Sequence, residues 1–352
     1  MKLPFYIHTK DPMSKRWRIV GILLVLVCLI FTLGLWYTLE ENNTTIAANR
    51  LTADKEVVLD TMERRLEVYS DVLYGGRALF LINPDLTRDD WDTYMESQNL
   101  QQRYPGLNSV AYLTVTDREG LDEVFESINE QRRDGEPEVE PLFQTNTDQF
   151  AIGTYATRIN GFQVLGRNAY DRDYFRDTLD TAAVSGVPVA SPPFMSPNPA
   201  REGTMDLLIV LPVYNRTFQN NMTDSEKRAA LQGFVTASIH PETLFELGVS
   251  SLNDPKTVAV LVQTAEGLTV YDYGSNLNGN RIGLKSDMNV AGQQWSITLS
   301  APATYDLTIR QVYAPLFFLV AGIVFMVIIV NLYFYWTGIR FSRRKPTPTQ
   351  SE

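Results

Sequence analysis

Two long apolar runs, Ile19–Trp36 (IVGILLVLVCLIFTLGLW) and Ala314–Trp336 (APLFFLVAGIVFMVIIVNLYFYW), stand near the two ends of the chain. A single segment of about 270 residues lies between them. Each run is long enough to cross about 30 Å of hydrocarbon as a helix rising about 1.5 Å per residue. Trp17, Trp36 and Tyr37 flank the first, and Tyr313, Tyr333, Tyr335 and Trp336 the second, as residues of an interfacial belt do. Lys2, Lys10, Lys15, Arg16 and Arg18 precede the first run; Arg340, Arg343, Arg344 and Lys345 follow the second. Basic residues stay on the cytoplasmic side, so both termini are expected inside and residues 40–312 outside, in a multi-pass protein of the cell membrane. A cleaved signal peptide would have a shorter apolar core and a cleavage site soon after it, whereas TLEENNTTIAANR reads as the start of a helix.

The chain carries 31 Lys and Arg against 41 Asp and Glu, and the ends hold nine of the basic residues. The outer segment is therefore strongly acidic, which excludes nucleic acid and anionic lipid surfaces as partners. The one cysteine, Cys28, falls within the first run, so the outer segment has no disulfide and relies on its core.

From about Thr44 to Phe80 the chain reads as a stalk helix. Val58, Met62, Leu66, Tyr69 and Leu73 recur at helical spacing on one face, with charged residues between them. This stripe either packs on its own domain or pairs with a second subunit. Gly75-Gly76 is expected to end or kink the helix. Thr87-x-x-Asp90 resembles a capping box. Strands are expected at 107–116, 152–159, 187–191, 205–214, 233–239, 257–263, 268–273 and 295–300, and helices at 121–132, 173–185 (stopped by Gly186), 224–231 and 241–247. Pro192-Pro193-Phe194 reads as a stiff turn. Pro212 lacks the N–H of a ladder donor, so the 205–214 strand is expected to meet an edge or a bulge there. The whole is an α+β layout of antiparallel sheets with helices.

No catalytic pattern is present: HExxH, CxxC, GxSxG and GxxxxGK[ST] are all missing, and the only histidines are His8 and His240, the latter read as a cap or surface residue. No enzyme activity, cofactor or metal site is expected.

Four segments in order, VLGRNAYDRDYFRDTLDTAAVSG, VPVASPPF, GTMDLLIVLPVYN and LQGFVTASIHPETLFE, resemble the CHASE domain, an extracellular sensor found ahead of histidine kinases, nucleotide cyclases and cyclic-dinucleotide enzymes, including plant cytokinin receptors. RYPGLNSVAYLTV and GQQWSITLSAP fit the same resemblance, which covers essentially the whole outer segment. It implies two transmembrane helices flanking an extracytoplasmic domain built from a long stalk helix and two PAS-like units. The implied order is a cytoplasmic N-terminus (1–18), a first span (19–38), the stalk (39–82), a membrane-distal ligand-binding unit (83–230), a membrane-proximal unit (231–312), a second span (313–337) and a basic cytoplasmic tail (338–352). The distal unit would hold a small molecule. In the loop before the 173–185 helix the polar contact falls on Asn168 or Asp171, because an extra residue leaves the alignment open; Asp171 is equally placed to cap that helix. Pro193, Phe194 and Met195, with Leu208, Val210 and Tyr214 on the inward face of the LLIVLPVY strand, would wall the pocket or simply pack. Cytokinin-binding members carry a threonine where Val210 stands, which argues against adenine-type ligands. Family members continue beyond the second span into a kinase or cyclase, so this chain implies either an output partner or a longer protein. A homodimer through the stalk is expected. The competing readings are a membrane-anchored protein-binding adaptor and a related dCACHE-type sensor.

Overall fold

The computed structural model describes residues 15–83, 85–141, 148–158, 164–196, 203–215, 221–252 and 254–343. Two compact units result: one takes the chain up to Arg50 together with the chain from Ala303 onward, the other Leu51–Pro302.

The first unit contains the start of α1 (Lys15–Ile82) and α8 (Ile309–Arg343). The most apolar stretches of these helices are 6% and 0% buried, which is the reverse of a core helix and fits a membrane protein. Small residues bring the two helices together. A Cβ on Gly322 would stand 2.4 Å from Thr32 Cγ2, and one on Gly21 3.2 Å from the Tyr333 ring. The Thr32 hydroxyl donates to Cys28 O at 2.8 Å, within its own helix. Pro315 lies inside α8 and has no N–H for the carbonyl of Gln311, four residues earlier. That carbonyl accepts instead from Asn43 Nδ2 of α1, at 2.7 Å. Arg50 and Asp306 add an exposed ion pair at 3.2 Å.

The second unit holds two antiparallel sheets. The first is built from β1 (Leu107–Asp117), β2 (Gln149–Arg158), β3 (Val189–Ala190), β4 (Phe194–Met195), β5 (Met205–Tyr214) and β6 (Leu231–Ile239), in the order β2-β1-β6-β5-β3, with β4 also on β5. The second has the order β8-β7-β10-β9, from β7 (Ala259–Thr264), β8 (Thr269–Tyr273), β9 (Arg281–Val290) and β10 (Gln293–Pro302). The strand at 231–239, expected to open the second unit, is instead a central strand of the first sheet, hydrogen-bonded to β1 and β5. At Pro212 the sequence expectation holds: β3 covers only Ile209 and Val210 of β5, so the strand is an edge at the residue that cannot donate. Phe194 and Met195, read as part of a turn, form a short strand opposite Asp206 and Met205. β9 is missing from the sequence reading, although Ile282, Leu284, Met288 and Val290 alternate with the exposed Gly283, Lys285, Asp287 and Asn289; it pairs with β10 through the tight turn Ala291-Gly292, both at positive φ.

Helices α2 (Arg88–Ser97), α3 (Leu100–Arg103), α4 (Leu121–Glu130), α5 (Asp173–Ser185), α6 (Asp224–Ala230) and α7 (Pro241–Ser250) complete the unit. The Thr87–Asp90 capping box starts α2. Gly186, at φ +75°, ends α5. α7 packs on the second sheet through Phe245, whose ring lies 5.5 Å from Tyr271 and 6.1 Å from Trp295.

The stalk stripe is used within the chain: Val58, Met62, Tyr69 and Leu73 are each no more than 1% exposed. Val58 and Met62 face Gly248 of α7, the Tyr69 hydroxyl donates to Pro105 O, and Phe80 stacks on Tyr112 with ring centroids 3.8 Å apart. Gly75-Gly76 does not end α1, which continues to Ile82. The pair serves close approach instead: a Cβ on Gly76 would lie 2.9 Å from Val235 Cγ1, and one on Gly75 2.2 Å from the Tyr94 hydroxyl. At a free helical site Gly→Ala stabilises by about 1 kcal/mol. Gly76→Ala is expected to destabilise by about 1–3 kcal/mol instead, because fully buried Val235 has nowhere to move. Thermal unfolding of the purified full chain checks this, and a raised melting temperature would show that the contact is not tight.

Candidate ligand-binding site

Strand alternation puts successive β5 side chains on opposite faces of the first sheet. Val210, with Leu208 against it, packs with Leu113, Phe234, Tyr170 and Leu179 under α5. Val210 is fully buried. Tyr214 closes the far end of this face, its hydroxyl donating to Ala183 O near the C-terminal end of α5 at 2.9 Å. Burial pushes its pKa up to about 12. At the other end, the Phe194 ring stacks on Tyr174 at 5.3 Å and meets Phe175 edge-on at 5.0 Å, both in the first turn of α5. Met195 is 57% exposed and Pro193 half-buried.

The polar loop before α5 folds as a single 3-10 turn, Ala169–Asp171. Asn168 caps it: its Oδ1 accepts from Tyr170 N and from Ala151 N of β2, each at 3.1 Å. Its Nδ2 donates to Asp171 Oδ1 at 3.1 Å. Asn168 is 5% exposed, so its amide ties the loop to the sheet. Asp171 is half-buried and does not cap α5, whose N-cap is Arg172. Thus Asn168 and Asp171 come together, while Phe194 and Tyr214 are held at opposite ends of α5. The set lies along one face of the sheet and does not converge on one point.

Sequence reading missed two polar features. Asp206, 3% exposed, accepts from Asn108 Nδ2 at 2.9 Å and Ser196 Oγ at 2.6 Å. His240 stands beside it, 8% exposed, with Nδ1 3.0 Å from Met205 O and 3.4 Å from Asp206 Oδ1, and Nε2 3.2 Å from Glu242 Oε2. The histidine read as a cap or surface residue is the N-cap residue of α7, and it is buried between two carboxylates rather than on the surface. The second feature is a cavity of about 540 Å³ on the opposite face of the sheet, bordered by Phe80, Tyr112, Thr114, Arg88 and α4. The strict alternation of Tyr112, Thr114 and Thr116 with Leu113 and Val115 was its signal in the sequence. None of the eight expected site residues lines it. Among the described residues no group of three potential ligands could hold a metal ion.

Asn168→Ala should cost about 2–3 kcal/mol by stranding two backbone N–H groups, and Asp171→Ala less than about 1 kcal/mol. Chemical denaturation checks this; a small loss for Asn168→Ala would release that residue for ligand contact. At the cavity rim, Arg88 holds Glu136 in a two-pronged pair, with nitrogen–oxygen distances of 2.6 and 2.8 Å. The Arg88 hydrogen bond draws the Glu136 carboxyl down from 4.5 to about 2. A depressed carboxyl adds stability above its unfolded pKa and loses it as the pH falls through the folded one. Glu136→Gln should therefore flatten the stability profile between pH 4.5 and about 2 and leave the slope above pH 5 unchanged, as read by acid titration of unfolding.

Comparison with curated protein sequences gives no match. Among solved structures the chain is similar to an extracellular ligand binding receptor from Desulfohalobium retbaense DSM5692, with 12% identity and a TM-score of 0.38 over 74% of this chain. The chain spans 39% of that receptor's length. It is also similar to the extracellular domain of rpHK1S-Z16, a protein assigned as a histidine kinase (13% identity, TM-score 0.42, 72% of this chain and 92% of that one). A third similar structure is the periplasmic sensory domain of the Campylobacter jejuni chemoreceptor Tlp1 (11% identity, TM-score 0.40, 76% and 97%). The model of the CHASE domain matches residues 84–281, more than half of the chain, and the chain belongs to the CHASE-domain family.

Proposed function

We propose that the protein is a membrane-anchored sensor that binds a small molecule on the α5 side of its first sheet and passes the signal across the membrane. The observation that carries this reading is a CHASE domain set between two helices whose apolar faces are almost wholly exposed. The first sheet acts as the membrane-distal, ligand-binding unit and the second as the membrane-proximal one. Asn168 or Asp171, Phe194 and the inward β5 residues form the binding face, with Pro193 and Met195 at its margin. The basic residues at both ends support a cytoplasmic location for the termini and an outside location for residues 40–312. The chain contributes no catalysis, and its output is a kinase or cyclase, on a partner or further along a longer protein. A homodimer uses the outer face of the stalk, where Val57 and Val68 are 47% and 36% exposed, because the apolar stripe is already buried. A ligand transmits only if it binds two states of the domain unequally.

The test is thermal unfolding of the detergent-purified full chain against adenine derivatives, amino acids, organic acids and peptides. A ligand at 100 times its dissociation constant adds about 2.7 kcal/mol, a plainly visible shift. Loss of that shift on Asp171→Ala or Val210→Phe supports the α5 face. A flat panel counts against small-molecule sensing and favours a protein-binding adaptor.

A further inference from the structure

The cavity on the face opposite α5 is a different place from the proposed site, and its lining has a consistent chemistry. Phe80, from the last turn of α1, stacks on Tyr112, and Tyr155 lies 6.0 Å from Phe80, so three rings form one wall. The Tyr155 hydroxyl is used, donating to Leu86 O at 2.7 Å, and the Thr114 and Thr154 hydroxyls bond each other at 2.9 Å. The Tyr112 hydroxyl is different. Tyr112 is 5% exposed, yet among the described residues its hydroxyl has no hydrogen-bond partner. It is seated over Gly233, where a Cβ would come within 2.6 Å of it, so β6 leaves room for this hydroxyl and no side chain competes for the space. Burial raises its pKa, so the hydroxyl remains a donor. The hydroxyl borders the cavity, where it can donate to a bound molecule.

The charges point the same way. Two charged side chains line the cavity, Arg88 and Glu123. Arg88 is committed to Glu136 and faces Asp92 at 4.0 Å. Glu123, one turn before Ser127 and two before Gln131 on the same stripe of α4, has no partner among the described residues. The free charge at the cavity is therefore negative, and aromatic faces beside it also favour a cation. The volume of about 540 Å³ lies within the range that holds a small organic molecule.

We infer that this cavity is a second ligand site, for a small organic amine that also carries a hydrogen-bond acceptor. The ammonium group pairs with Glu123, the acceptor takes the Tyr112 hydroxyl, and the body of the molecule rests on the Phe80–Tyr112–Tyr155 wall. Because Phe80 belongs to α1, an occupant touches the stalk helix directly. The inference does not rest on the α5-side reading and can fail without it.

The probe is tyramine, which has the amine, the ring and an acceptor oxygen; 4-hydroxyphenylacetate, with the amine replaced by a carboxylate, is the control. Isothermal titration and thermal unfolding of the full chain in detergent should show saturable tyramine binding and none for the control. Glu123→Gln should weaken tyramine about tenfold or more, and Tyr112→Phe severalfold. Glu123 is exposed and its replacement leaves the core intact, so a folding defect cannot mimic the loss. Asp171→Ala should leave tyramine binding unchanged, which separates the two sites. Absence of saturable tyramine binding, equal binding of the carboxylate, or binding untouched by Glu123→Gln or Tyr112→Phe each overturns the inference.

Discussion

The fold of the outer segment depends on how closely one face of α1 approaches the elements it covers. Over a few turns this helix presents Val58 and Met62 to α7, Tyr69 to the loop at Pro105, Gly76 to β6 and Phe80 to β1. A glycine in mid-helix costs about 1 kcal/mol of intrinsic propensity. The cost is offset by contact between helix backbone and sheet, which lets the fully buried Val235 side chain fill the space a Cβ would take. The stripe that could have joined two subunits is thereby spent on joining two sheets of one chain.

The sheets are also tied directly. Ala190 N, on the short edge strand β3, donates to Ala291 O in the β9–β10 turn at 2.8 Å, and Gln293 Nε2 returns a bond to Ala190 O at 3.2 Å. β3 is paired at Val210 and Ile209, so the strand that carries the centre of the proposed binding face touches the strand that touches the second sheet. A change in packing under α5 has a short, hydrogen-bonded route to the other sheet, and the α1 contacts provide a second one. These are continuous physical contacts, and whether they carry coupling is decided by the two-state behaviour that the ligand experiments measure.

Much of this was legible from residue patterns. The 3.6-residue stripe of the stalk, the alternation in β1, the Thr87–Asp90 box and Gly186 each act within a few residues, and each appears in the structure where local chemistry puts it. Gly75-Gly76 was misread because the same two residues serve as a helix breaker or as a packing notch, and only Tyr94 and Val235, remote in sequence, decide between them. β9 was missed although its alternation was present, because its covered face includes Ser286 and only partly buried Ile282 and Leu284, which makes the pattern less apolar than that of the central strands. The strand at 231–239 was assigned to the wrong sheet for a related reason: strand order is set by pairing between distant segments, here β6 between β1 and β5. At the site, the residues around α5 could be named, but the amide geometry that commits Asn168 to Ala151 and Tyr170 could not, nor could the cluster joining Asp206 to His240, 34 positions apart in number.

The Asn43–Gln311 bond has a mechanical consequence. Pro315 creates a carbonyl that its own helix cannot satisfy, and a side chain of the neighbouring helix answers it. The pair works as a pin between two rods. Sliding α8 along α1 by a full turn, about 5.4 Å, pulls the pin out of hydrogen-bonding range and leaves the carbonyl bare. Pivoting the rods about the pin, or turning one against the other by a few degrees, leaves it in place. The pin therefore opposes a full-turn piston stroke more than a small hinge movement about itself.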